Sequence, residues 1–161
     1  GGVVQGEFAN GRSSGALRAE MCFIPEGTKR LRDVPDCVGG ALFFADELNV
    51  AVRRFEAGFP GVSLRNEWFS LRYSGVFKVP REGEYKFRLT SDDGSLLFID
   101  GGLVIDHDGV HDAVSKRGAV YLDEGAHQLV VRYFQGPRYN VALQLFVTPP
   151  GEAERIFRTE L

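Results

Sequence analysis

Thr90-Ser91-Asp92-Asp93-Gly94-Ser95 sets two adjacent carboxylates beside a glycine, between two strong strand signals. Upstream, Tyr85-Lys86-Phe87-Arg88-Leu89 alternates apolar and charged residues, the period of a half-buried strand. Downstream, Leu96-Leu97-Phe98-Ile99 is a short apolar run that Asp100-Gly101-Gly102 turns back into Leu103-Val104-Ile105. The acidic pair therefore sits at a strand-to-strand connection, where Asp and Gly commonly turn a chain. A turn needs only one Asp, and neighbouring carboxylates repel, so the spare charge points to a cation. In an extended strand adjacent side chains face opposite ways and do not normally share one ion, although a cis connecting peptide would let the two carboxylates converge. A hard divalent cation suits such a pair, because Ca²⁺ takes roughly 6–8 oxygens from carboxylates, carbonyls and waters. The alternative is a structural turn in which Asp92 caps backbone amides and Asp93 is solvated.

The other chemistry-bearing groups are sparser. Asp106-His107-Asp108 with His111 offers imidazole and carboxylate ligands, but no third histidine lies close, which argues against zinc. There is no Gly-x-Ser-x-Gly nucleophile turn and no phosphate-cradling glycine loop. Paired carboxylates for glycoside hydrolysis stand about 5–10 Å apart across a bond, which adjacent residues on a tight turn fit poorly. The sequence thus reads as a non-enzyme. Cys22 and Cys37 lie in loop-like surroundings without a Cys-x-x-Cys. They form either a disulfide, worth about 3 kcal/mol for a loop of that size, or a reduced buried pair. A disulfide would place the protein outside the cytosol.

The elements that must position these groups are strands. Trp68-Phe69-Ser70-Leu71-Arg72-Tyr73 through Val79, Ser115 to Leu122, Gln128 to Phe134 and Val141 to Val147 all carry strand patterning. Leu17, Ala19, Met21 and Phe23 alternate in the same way, and Pro25-Glu26-Gly27 ends that segment. Pro80 to Glu84 is expected to be a hairpin connection, and Gln135 to Asn140 a loop before the last long strand. Phe43, Phe44, Phe55 and Phe59 read as core plugs under loops, and His127 as a half-buried strand residue. Glu152 to Leu161 is expected to be a final strand or a frayed tail. Short strands spaced by tight turns predict an all-β fold, an antiparallel β-sandwich, in one domain spanning residues 1–161. Gly1 to Gly15 reads as a loose leader, with Glu7-Phe8 as an early edge contact.

With 161 residues the chain can bury a full core, hiding about 70% of the surface its unfolded form exposes. A net charge of −3 argues against a surface that tracks nucleic-acid phosphates. No apolar run approaches the ~20 residues of a membrane helix, so no membrane insertion is expected. Gly1-Gly2 is no natural start, so the chain reads as an excised module and its lack of a signal peptide says nothing of compartment.

Gly75-Val76-Phe77-Lys78-Val79-Pro80, Gly83-Glu84-Tyr85-Lys86-Phe87, the Ser91 to Gly101 run, Gly109 to His111 and Gly125-Ala126-His127-Gln128-Leu129 carry a resemblance. Together they resemble the protective-antigen-type (PA-fourteen) domain over roughly residues 68–147. That jelly-roll-like β-sandwich occurs in bacterial toxins, glycosidases, and yeast and bacterial surface adhesins. The resemblance implies that a cis Asp92-Asp93 pair holds Ca²⁺ and that vicinal hydroxyls of a sugar complete the shell. It also implies a second loop, here Gln135 to Asn140, with the Gln135 side chain and the Gly136 and Arg138 carbonyls as ligands. Gln135 departs from the Asn that yeast flocculins carry there. Arg138 and Tyr139, at the loop tip, are expected to touch the saccharide, and His107 or Asp108 to line its site. A calcium-dependent lectin or adhesin module of a larger secreted or surface protein is the expected function. A non-catalytic structural or protein-interaction module is the alternative, and an accessory domain of a glycosidase is a third reading.

Overall fold

In the strand Phe69–Val79 the side chains of Phe69, Leu71, Tyr73, Phe77 and Val79 are buried, while Val76 and Lys78 face outward. Tyr85, Phe87 and Leu89 repeat the pattern in Gly83–Asp92, as do Leu129, Val131 and Tyr133 in Gly125–Gln135. Each strand thus has one apolar face, and two such faces closed on each other bury it. The computed structural model describes residues 15–62, 65–137 and 139–161. The expected leader, with its Glu7-Phe8 contact, and Arg138 lie outside the described residues, Gly15 excepted.

The strands are β1 (Leu17–Phe23), β2 (Ala41–Ala45), β3 (Asn49–Arg54), β4 (Phe69–Val79), β5 (Gly83–Asp92) and β6 (Ser95–Ile99). They continue as β7 (Gly102–His107), β8 (Val114–Leu122), β9 (Gly125–Gln135), β10 (Asn140–Thr148) and β11 (Arg155–Ile156). One antiparallel sheet runs β2-β1-β4-β9-β6-β7, and the facing sheet runs β11-β10-β5-β8. The free edge of β10 is shared: β3 pairs with its first half and β11 with its second, while β5 takes the other side. This is the antiparallel sandwich that the strand patterning predicts.

Between the sheets Phe59 stacks on Tyr133 with ring centroids 5.1 Å apart, and Phe69 meets Phe59 edge-on. Of the four aromatics read as core plugs, Phe43 and Phe59 are fully buried and Phe55 packs partly buried against the core, whereas Phe44 is half-buried and outside it. His127 is half-buried as expected, paired with Asp100 at 2.6 Å at the β6–β7 hairpin. Of the two readings of the C-terminal segment the strand holds: Arg155–Ile156 forms β11, paired with β10, and the residues after it are packed down rather than frayed. Phe157 is buried against Phe77, and the backbones of Thr159 and Leu161 bond to Lys78.

The hairpin expected at Pro80 to Glu84 is not one. β4 belongs to one sheet and β5 to the other, so this segment arches across the sandwich. The same holds for the connections β5–β6, β7–β8 and β9–β10, each of which passes from one sheet to the other. Cys22 and Cys37 are disulfide-bonded. The bridge ties down the segment between them, whose short 3₁₀ turn Leu31–Asp33 packs near the β7–β8 connection.

Candidate functional site

Three of the inter-sheet arches meet around an open pocket of about 340 Å³. β5–β6 supplies Asp92 and Asp93, β7–β8 supplies Val110, His111 and Asp112, and β9–β10 supplies Pro137 and Tyr139. The Asp92-Asp93 peptide is cis. Two carboxylates that an extended strand would send to opposite faces therefore line one pocket.

The pair is held from several sides. The core hydroxyl of Tyr133 donates to the Asp92 carbonyl at 2.5 Å. The N–H of Gly136 donates to Asp93 Oδ2 at 2.8 Å, and the N–H of His111 donates to Asp93 Oδ1 at 3.3 Å. Glycine is required at Gly94, where a Cβ would sit 2.6 Å from the backbone nitrogen of Gly109. The β5–β6 and β7–β8 arches touch there without room for a side chain.

Asp92 is 7% exposed and Asp93 3%, so both acids are buried side by side with no lysine or arginine paired to them among the described residues, the His111 ring being the nearby basic group that eases the Asp93 charge. Burial, then the Asp93 charge, then that of Asp112 push the Asp92 carboxyl up out of the usual carboxylate range. Burial likewise raises Asp93, against the pull of the Gly136 and His111 amides. A site that disfavours its own negative charge this strongly is one that a cation would relieve.

Gln135 is fully buried. Its Nε2 donates to the Pro137 carbonyl at 3.2 Å, while its Oε1 has no hydrogen-bond partner among the described residues. A buried acceptor left open is unusual, and an amide oxygen is a proper ligand for a hard cation. Among the described residues no group of three or more His, Cys, Asp or Glu side chains assembles as a metal cage. An ion at Asp92 and Asp93 would thus be completed by amide, carbonyl and ligand oxygens. Gly136 enters the site through its N–H, which Asp93 accepts. Tyr139 stands at the pocket rim, 76% exposed, with φ at 132° in the region that favours glycine.

His107 does not line the pocket. It is buried behind the wall, with Nε2 2.8 Å from the Val114 carbonyl and its ring stacked 4.1 Å from that of His111. His111 takes the lining position instead, its two ring nitrogens each 2.8 Å from a carbonyl, those of Asp112 and His107. Asp106 and Asp108 also turn away from the pocket. Asp106 pairs with Arg32, and Asp108 accepts the Leu31 N–H at 2.8 Å and the Arg32 N–H at 3.3 Å. These two acids dock the disulfide-closed segment onto the β7–β8 arch. Asp112 and the hydroxyl of Tyr133 escaped the sequence reading. Asp112 was visible only as another acid in a polar loop, and nothing local marked Tyr133.

A two-sheet antiparallel sandwich whose arches border an open acidic pocket defines an all-β module with its site where three inter-sheet connections meet. Residues 55–159 match the PA14 domain family, and the chain belongs to that family. Over 77 residues it is 36% identical to the probable beta-glucosidase J of Aspergillus fumigatus, covering 42% of this chain and 9% of that protein. It therefore spans under a tenth of that relative's length. The PA14 sugar-binding domain of an RTX adhesin superposes with a TM-score of 0.73 at 19% identity, over 93% of this chain and 96% of that one. The A domain of epithelial adhesin 9 from Candida glabrata, in complex with Galβ1-3GlcNAc, gives 0.60 at 14% identity, over 89% and 85%. At these identities the structural likenesses establish the fold.

Proposed function

We propose that this domain binds carbohydrate through calcium, recognising sugar diols as a module of a larger secreted or cell-surface protein. The observation that carries the reading is the buried Asp92-Asp93 pair lining an open pocket with both carboxyls raised. Asp92, Asp93 and the open Oε1 of Gln135 would hold the ion, with the Arg138 carbonyl as a further donor from the same loop. Bound Ca²⁺ supplies coordination positions for two neighbouring hydroxyls of a sugar. The chain's own part is to hold the Asp92 backbone through Tyr133 and the Asp93 carboxylate through Gly136 and His111, and to offer the ring a wall of Pro137 and Tyr139. A site this small binds weakly, near millimolar or about 4 kcal/mol, and becomes useful through multivalency.

The adhesin domain whose title calls it sugar-binding and the adhesin in complex with Galβ1-3GlcNAc support a glycan partner. The disulfide supports an extracellular or cell-surface location. The β-glucosidase relative supports a variant in which the module delivers sugar to catalysis on another domain. The domain itself is read as non-catalytic, because its paired acids are adjacent rather than set across a scissile bond. That no third His, Cys, Asp or Glu joins Asp92 and Asp93 in a metal-holding group among the described residues favours one competing reading, a structural or protein-interaction module.

Thermal melts with calcium or with excess chelator, on wild type and Asp93→Asn, separate these. Calcium is expected to raise the wild-type melting temperature and leave the variant unmoved. Identical wild-type melts in both conditions would sink the calcium reading and favour the interaction module.

A further inference from the structure

Beside the acidic pocket lies a second hollow of about 390 Å³, lined by Gly27, Thr28, Lys29, Trp68, Val110 and Pro137. Val110 and Pro137 line both hollows, so a single ridge divides them. Trp68 is the only tryptophan of the chain and is half-buried. Its φ of 60° is uncommon for a bulky residue, and such conformations gather at binding sites. Backbone bonds fix it: its N–H donates to the Gln135 carbonyl at 2.8 Å, and its carbonyl accepts the Ile24 N–H at 3.1 Å. The tryptophan is thereby tied to the last residue of β9, from which the loop bordering the acidic pair departs. Lys29 is exposed at the rim and has no ion pair among the described residues.

A pyranose ring has an apolar face of C–H groups and an edge of hydroxyls. An indole beside an alkyl and proline wall suits the face, and a free ammonium suits the edge. We propose that this hollow is a second subsite, taking the sugar ring next to the one held at the acidic pocket, so that the ligand is an oligosaccharide rather than a monosaccharide. The inference rests on the carbohydrate reading above. The hollow on the opposite flank, beyond Tyr139, is the poorer choice, because Arg54 there is spent on a bidentate pair with Glu56.

Because Trp68 is the sole tryptophan, its emission reports this hollow directly. The test titrates the calcium-loaded domain with galactose against Galβ1-3GlcNAc, and with glucose against cellobiose, following affinity and tryptophan fluorescence. A disaccharide is expected to bind roughly three- to tenfold tighter than its monosaccharide, the worth of one aromatic contact. Tryptophan emission should shift with the disaccharide alone. Lys29→Ala, at an exposed position, should weaken the disaccharide severalfold and leave the monosaccharide unchanged. Trp68→Ala should abolish the advantage, and if it fails to fold, the emission and the lysine variant carry the test. Equal affinities with unmoved emission would overturn the subsite while leaving the carbohydrate reading intact. Absence of binding to all four sugars would overturn both.

Discussion

The hydroxyl of Tyr133, in the middle of the core, reaches the backbone carbonyl of Asp92 at 2.5 Å. One ring is thus both a core side chain, stacked on Phe59, and the anchor of the acidic pair. Tyr133→Phe should leave that carbonyl buried without its donor, at a cost of about 1–3 kcal/mol. Denaturant unfolding should show the loss, and the calcium-induced stabilisation should shrink with it.

The raised carboxyls give a pH dependence with a definite sign. Both lie above the ordinary value of 3.8 in the folded, ion-free domain, so that state holds protons the unfolded chain releases. The resulting stability is complete below the ordinary value and is lost as pH rises through the raised ones. Calcium competes with the same protons, so its stabilisation should be larger at pH 8 than at pH 5. Asp92→Asn removes the repulsion; it should raise the ion-free melting temperature at pH 8 and abolish the gain from calcium. Melts at the two pH values, with and without calcium, check both signs.

Reduction of Cys22–Cys37 should cost about 3 kcal/mol, the loop-closure value for a ring of this size. The effect should extend to binding. The closed segment presents the Leu31 and Arg32 amides to Asp108, which precedes the Val110 to Asp112 wall. A reduced sample, compared at a temperature where it stays folded, should bind calcium and sugar more weakly than the oxidised one.

Tyr139 is mostly solvent-exposed and its ring lies outside the core. Tyr139→Ala should therefore leave the melting temperature nearly unchanged while weakening sugar binding by about 0.5–1.5 kcal/mol. Equal sugar affinity in the variant would remove this residue from the recognition surface.

Gly94→Ala tests the contact between arches. Its Cβ would meet the Gly109 backbone and the Phe134 ring, neither of which can swing aside cheaply. A loss of about 1–3 kcal/mol is expected, the usual range for overpacking, together with weaker calcium binding.

Most of the sandwich was legible in the sequence because alternation of apolar and polar residues writes strand faces directly, as in Tyr85, Phe87 and Leu89. Period alone does not say which sheet the next strand joins, and this is why Pro80 to Glu84 read as a hairpin. The acidic pair stood out because two adjacent charges are one more than a turn needs. His107 was misplaced because its loop is polar in sequence, whereas its ring is buried on the Val114 carbonyl and against His111. Tyr133 and Asp92 are far apart in sequence, and Trp68 meets Val110 and Pro137 only across the folded end of the sandwich. Relations of that kind leave no local spacing to read.

All three connections around the acidic pocket bridge the two sheets. Neither sheet alone owns the pocket, so no fragment holding one half of the sandwich can carry a reduced version of it. Anything bound there acts as a clasp across the seam, and prying the sheets apart must first break its hold. In a surface protein under tension, occupancy of the site and resistance to mechanical opening would rise and fall together.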